Sequence, residues 1–103
     1  MSDTHVVEVV LIKPAADVTR EAMIETFSQL QKAVEKKDGY IKRQVLEENG
    51  QWIDLVWWES LAQAQQAAKE VESDPTLAPH FAVFADAEMT MMHLHPVALK
   101  QLS

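Results

Sequence analysis

Apolar residues follow two rhythms along this chain, and the change from one to the other outlines a fold. A nearly unbroken apolar run, Val-Val-Glu-Val-Val-Leu-Ile over residues 6–12, is rich in β-branched residues and closes at Lys13-Pro14. It predicts a strand. Asp17 or Thr19 can cap a helix after it, in which Met23, Phe27, Leu30 and Val34 recur at steps of four, three and four, forming one helical stripe. Glu21, Glu25, Gln29, Lys32 and Lys36 take its opposite face. Asp38-Gly39 supplies the stop, because glycine accepts the left-handed geometry at the end of a last helical turn.

Residues 40–47 and 51–59 predict a second and a third strand, joined through Glu48-Asn49-Gly50. Asn-Gly between two β-rich runs signals a tight hairpin, since both residues tolerate positive φ. Ser60-Leu61-Ala62-Gln63 has the capping-box form, with hydroxyl and amide side chains satisfying backbone N–H groups reciprocally. Leu61, Ala64, Ala67, Ala68 and Val71 share one face of a second helix, which breaks at Ser73-Asp74-Pro75. A short helical piece over 75–84 and a last strand over 88–96 complete the pattern, with a tail over 97–103. The order β-α-β-β-α-β predicts one α+β domain over 1–103, its core at about 5–96. Its arrangement is ferredoxin-like, a four-stranded antiparallel sheet with both helices on one face.

Alternation sets Trp52, Asp54, Val56 and Trp58 on one face of the third strand and Ile53, Leu55 and Trp57 on the other. The first strand is apolar on both faces apart from Glu8. A sheet apolar on both sides must be covered on both sides. The helices cover one side, and no segment of the chain remains for the other. A tail folded across it is the monomeric alternative, but residues 97–103 are too short for four strands. The second cover is therefore expected to be another copy of the chain, giving a homodimer through the open sheet face.

Composition narrows the function. Sixteen Asp and Glu against nine Lys and Arg give a formal charge of −7, which opposes binding to nucleic acid or to an anionic lipid surface. Cysteine is absent, excluding disulfides, thiolate metal sites and cysteine nucleophiles. No apolar stretch approaches the roughly 18–20 residues that span a bilayer. The opening Met-Ser-Asp-Thr-His lacks a secretory pattern, so a cytoplasmic protein is expected. Two glycines in all leave no Gly-rich phosphate loop, and no serine sits on a strand-to-helix elbow of the type a serine nucleophile requires. His93 and His95 have the His-x-His spacing of a metal pair, but no further ligands can be placed beside them. Packing at a sheet end or dimer seam is the alternative, and no metal is assigned. Met89, Met91 and Met92 read as core filling. Glu8 and Asp54 are acids in apolar strands, and Arg43 or Lys42 on a neighbouring strand could neutralise them. Left unpaired in a cavity, Asp54 would be a proton shuttle.

Several local patterns together resemble the antibiotic-biosynthesis-monooxygenase-like family of dimeric α+β barrels. They are Gly39-Tyr40-Ile41 opening the second strand, Leu55-Val56-Trp57-Trp58-Glu59-Ser60 entering a helix, and Ser-Asp-x-x-x-Ala-x-His over 73–80. The resemblance implies an aromatic or enolic substrate between helices and sheet, oxidised without a cofactor. It implies that Trp58 stacks on the substrate beside Phe81, that Asp54 accepts a proton or hydrogen bond, and that His80 assists deprotonation. His80 has a structural alternative, bonding a backbone carbonyl at the cavity rim. The family's oxygenases carry Asn where this chain has Asp54, and an aromatic hydroxyl early in the second helix where this chain has Ala64. Those departures support a second reading, a non-catalytic module that binds a small molecule. Haem-degrading members also need an Asn on the first strand and a Trp on the second helix. Here Asn49 lies in the hairpin and all three Trp lie on the third strand, so haem binding fits poorly.

Overall fold

The computed structural model describes residues 5–100. Four strands, β1 (Val6–Lys13), β2 (Tyr40–Glu48), β3 (Gln51–Trp58) and β4 (Glu88–Leu94), alternate with α1 (Arg20–Val34), α2 (Leu61–Ser73) and the short α3 (Ala78–Phe81). They form one antiparallel sheet in the order β2-β3-β1-β4. This is the expected ferredoxin-like architecture, with a short helical insertion before β4. Among the described residues no helix is long and apolar enough to cross a membrane.

Local chemistry accounts for the boundaries. Thr19 caps α1, its Oγ1 accepting from Ala22 N–H at 3.0 Å. Asn49 (φ 49°) and Gly50 (φ 80°) form the β2–β3 turn, both with the positive φ that a tight hairpin demands. Ser60 caps α2 by accepting from Gln63 N–H, but the expected reciprocal bond does not form. The Gln63 side chain instead accepts from the Ser60 hydroxyl at 3.0 Å. Gly39 differs from expectation too. α1 ends at Val34, and Gly39 stands at the entry to β2 with φ 88°. A Cβ there would come within 2.6 Å of Gln63 Cδ. The glycine thus permits the close approach of β2 to the start of α2, rather than stopping α1.

The alternation along β3 is as expected: Trp52, Asp54, Val56 and Trp58 are buried, while Ile53, Leu55 and Trp57 are half-buried on the open side. Beneath α2, Val6, Val56 and Trp58 pack with Ala64 and Ala67. Beneath α1, Val10, Ile12 and Trp52 pack with Met23 and Phe27. Leu30, Val71 and Leu77 join the helices to one another. Fully burying one such side chain contributes about 1.5–3 kcal/mol, so these groups carry the fold. The opposite face of the sheet has no layer over it within the described residues. Val97 and Leu99 of the tail are exposed.

Candidate functional site

The helices and sheet enclose a cavity of about 110 Å³, partly open to solvent, with a mainly apolar lining. α1 contributes Phe27 and Leu30, α2 contributes Ala67, Ala68 and Val71, and the segment before β4 contributes Phe81 and Phe84. The volume is on the order of a single aromatic ring, given that a 150 Å³ apolar cavity admits benzene. Met89 and Met91 of the edge strand β4 line it while roughly half exposed (47% and 48%). Flexible thioether side chains therefore border the opening, where they can adapt to a larger guest.

Polar groups on the floor come from three strands, Glu8 of β1, Arg43 of β2 and Asp54 of β3, and His93 of β4 stands beside Glu8. Register explains this: Arg43, Val56, Glu8 and His93 pair in sequence across the sheet, so they share its helix-facing side. Asp54, two residues before Val56, faces the same way. Arg43 grips Asp54 with two parallel bonds, Nε to Oδ1 at 2.8 Å and Nη2 to Oδ2 at 2.7 Å. Both side chains are less than a tenth exposed. Arg43 also donates to Gln31 Oε1 at 3.3 Å, and Gln31 donates to the Tyr40 hydroxyl at 2.9 Å. This is the fork geometry in which a buried ion pair is best satisfied. It leaves Asp54 with both carboxylate oxygens engaged.

Glu8 has a different partner from the one expected. β3 lies between β1 and β2, so neither Arg43 nor Lys42 is on the adjacent strand. Lys42 instead sits over the Trp57 ring at 4.5 Å. The neighbour of Glu8 is His93 of β4, with Nε2 at 3.2 Å from Oε1. Burial pushes the Glu8 carboxyl above the ordinary carboxylate value; its contact with His93 and the more distant Arg43 oppose that, while Asp54 adds to it. His93 is thus part of a side-chain pair on the sheet. His95 lies beyond the end of β4 and is exposed.

Of the four residues singled out from the sequence, Asp54, Trp58 and Phe81 line the cavity. His80 does not. It is half-buried on α3, where its backbone N–H donates to Leu77 O at 2.9 Å. Adjacent residues on a helix diverge by about 100°, so turning Phe81 inward turns His80 away. Trp58 is 2% exposed, with its ring edge-on to Tyr40 at 6.1 Å between centroids. Its Nε1 is the single buried side-chain nitrogen or oxygen without a hydrogen-bond partner among the described residues. Leaving such a donor unpaired costs about 1–3 kcal/mol. The pairing of Glu8 with His93, by contrast, could not be read from the sequence: it depends on β4 adding beside β1 in one register.

No family model matches the chain, and no curated protein does. Its fold recurs among solved structures. SnoaB, a cofactor-independent oxygenase from Streptomyces nogalater, is 15% identical, with a TM-score of 0.69 over 96% of this chain and 97% of that one. A candidate monooxygenase from Shewanella loihica PV-4 is 20% identical, with a TM-score of 0.73 over 93% of this chain and 97% of that one. A candidate antibiotic biosynthesis monooxygenase from Nitrosomonas europaea is 12% identical, with a TM-score of 0.73 over 92% of each chain. At these identities the likeness is one of fold, and it is the fold that the family resemblance implies.

Proposed function

We propose that this chain, built on the frame it shares with SnoaB, is itself a small oxygenase that works without a cofactor on an aromatic or enolic molecule. The observation that carries the reading is that Trp58, whose buried indole N–H has no hydrogen-bond partner, lines this mainly apolar cavity. An oxygen atom of a planar guest would satisfy that donor, while Phe27, Phe81 and Phe84 hold the ring. A donor in a dry site also stabilises negative charge that develops on that oxygen during reaction. Asp54, paired with Arg43, adds polarity to the floor without adding net charge, which suits a neutral guest. Dioxygen is the oxidant, and the guest, once deprotonated, is the reductant.

The same proposal includes a two-fold dimer through the open face of the sheet. Val7, Val9 and Leu11 of β1 lie there with Ile53, Leu55 and Trp57 of β3, an apolar surface flanked by the exposed Ile41, Leu46 and Leu94. Contiguous apolar surface of this kind marks an interaction site.

The test is oxygen uptake with an anthrone or hydroxynaphthoquinol, together with quenching of Trp fluorescence by the same compounds. Uptake is expected, and Trp58→Phe, which keeps an aromatic ring and deletes the N–H, should weaken binding about tenfold. Quenching without oxygen uptake would select the non-catalytic binding module. Neither signal in the wild-type chain would overturn both.

A further inference from the structure

Glu8 stands in the middle of the cavity floor, and a site built on Trp58 alone makes no use of it. On one side it is opposite Val56 and on the other opposite His93. Its side chain is 13% exposed and lines the cavity. The contrast with Asp54 is chemical. Asp54 gives both oxygens to one guanidinium, at 2.8 and 2.7 Å, whereas the only side-chain partner of Glu8 among the described residues is His93, at Oε1 and 3.2 Å. Oε2 therefore keeps its lone pairs for something else. Trp58 is near at hand: it pairs with Val6, two residues from Glu8. Such diagonal neighbours lie about 7–8 Å apart along the backbone, within the span of a fused-ring molecule.

We propose that Glu8 is the proton acceptor of this site, with His93 as the positioning residue that holds it, and that the guest is a neutral phenol, enol or anthrone-like molecule. The inference rests on the oxygenase reading and names its base. In the step, the acidic O–H or C–H bond of the guest breaks and an O–H bond forms on Glu8 Oε2. The electron pair stays on the guest, as a phenolate or enolate whose oxygen is held by the Trp58 N–H. That anion is the form able to give an electron to dioxygen. Burial supports the role, because a carboxyl held above its ordinary value is a stronger base once ionised. Burial sets its titration first, then His93 on β4, Asp54 on β3 and Arg43 on β2; Glu72 of α2 is a further carboxylate on the cavity wall.

The experiment compares the wild type with Glu8→Gln and His93→Gln, following oxygen uptake with anthrone from pH 5 to pH 9. General-base catalysis contributes about 10²–10⁴-fold, so Glu8→Gln should lower kcat at least 100-fold with little change in KM. The deficit should shrink with a more acidic substrate that ionises unaided. His93→Gln should keep substantial turnover but move the acidic limb of the pH profile. A Glu8→Gln variant within about threefold of wild-type kcat would overturn the proposal and leave the oxygenase reading standing. Should the wild type consume no oxygen, that reading fails and ligand preference decides the role of Glu8. The wild type should then bind 1-naphthol at least tenfold more tightly than 1-methoxynaphthalene, and Glu8→Met should abolish the preference. A preference that survives in Glu8→Met would overturn the proposal.

Discussion

Replacing Asp54 by Asn tests the electrostatic reasoning on which the cavity floor depends. The substitution is nearly isosteric and keeps an acceptor for Arg43, but it removes the charge that the guanidinium meets at 2.7–2.8 Å. Arg43 stays charged and its side chain is only 8% exposed, so it would become a buried cation without its hydrogen-bonded counter-ion, Glu8 being the more distant carboxyl. Opposite charges roughly 4 Å apart attract by about 4 kcal/mol at an effective dielectric near 20. Breaking buried pairs is measured at about 3–5 kcal/mol. Against a total stability of about 5–15 kcal/mol for a domain, that is a large share, and it corresponds to a fall in melting temperature of roughly 15–30 °C. The companion variant Arg43→Met with Asp54→Leu removes both charges. It should fold within about 1 kcal/mol of wild type or more stably, because desolvation offsets most of what a buried pair gains. Urea unfolding monitored by Trp fluorescence, at one fixed protein concentration, measures both. An Asp54→Asn variant within about 1 kcal/mol of wild type would refute this reasoning, as would a double variant no more stable than the single one.

The geometry fixes three further outcomes. Gly39→Ala places a Cβ against Gln63 and forces a positive φ, whereas Gly50→Ala meets nothing within 4 Å and bears only the φ penalty. Gly50→Ala should therefore cost about 1 kcal/mol and Gly39→Ala distinctly more, read from urea midpoints; equal costs would refute the close approach of β2 to α2. Glu8, with its native carboxyl above the ordinary 4.5, binds its proton more tightly in the folded than in the unfolded chain. Its contribution to stability is present below pH 4.5 and lost as pH rises through the native titration, so Glu8→Gln should lack that fall; parallel profiles would refute the shift. Leu55→Lys puts a charge on the open sheet face without touching the helix side, and should yield a folded monomer by sedimentation; an unchanged sedimentation coefficient would refute a dimer through this face.

The fold was legible because its signals are local and agree with one another. The stripe Met23-Phe27-Leu30, the Asn49-Gly50 turn and the alternation from Trp52 to Trp58 each specify an element without knowledge of the others. The Arg43–Asp54 pair was legible in part, since a hairpin with a two-residue turn fixes which residues of its strands are neighbours. What the chain concealed depends on non-local register or on a fraction of a helical turn. Glu8 finds His93 only because β4 adds to the far side of β1, and the two lie 85 positions apart. The short helical piece expected over 75–84 contains α3, but a rotation of one residue decides whether His80 or Phe81 faces the cavity. The role of Gly39 was hidden for a similar reason: its constraint comes from Gln63, on another element.

The two sides of the sheet divide their polarity in an order that stability alone does not favour. Acids in strands are least costly where water reaches them, yet Asp54 and Glu8 lie on the side covered by helices, where each needs a partner of its own. The open side of the central strands carries Val7, Val9, Leu11, Ile53, Leu55 and Trp57. A chain selected only to fold as a monomer would gain by exchanging these contents, with apolar residues beneath the helices and charge outside. The observed order is coherent if the open side is reserved for a second copy and the covered side for chemistry. Desolvating Glu8 then has a use, since a carboxylate surrounded by apolar walls is a better base than one in water. Dimer and base thus stand together: the residues that make the exposed face poor at meeting solvent are the counterpart of those that make the covered face expensive to build.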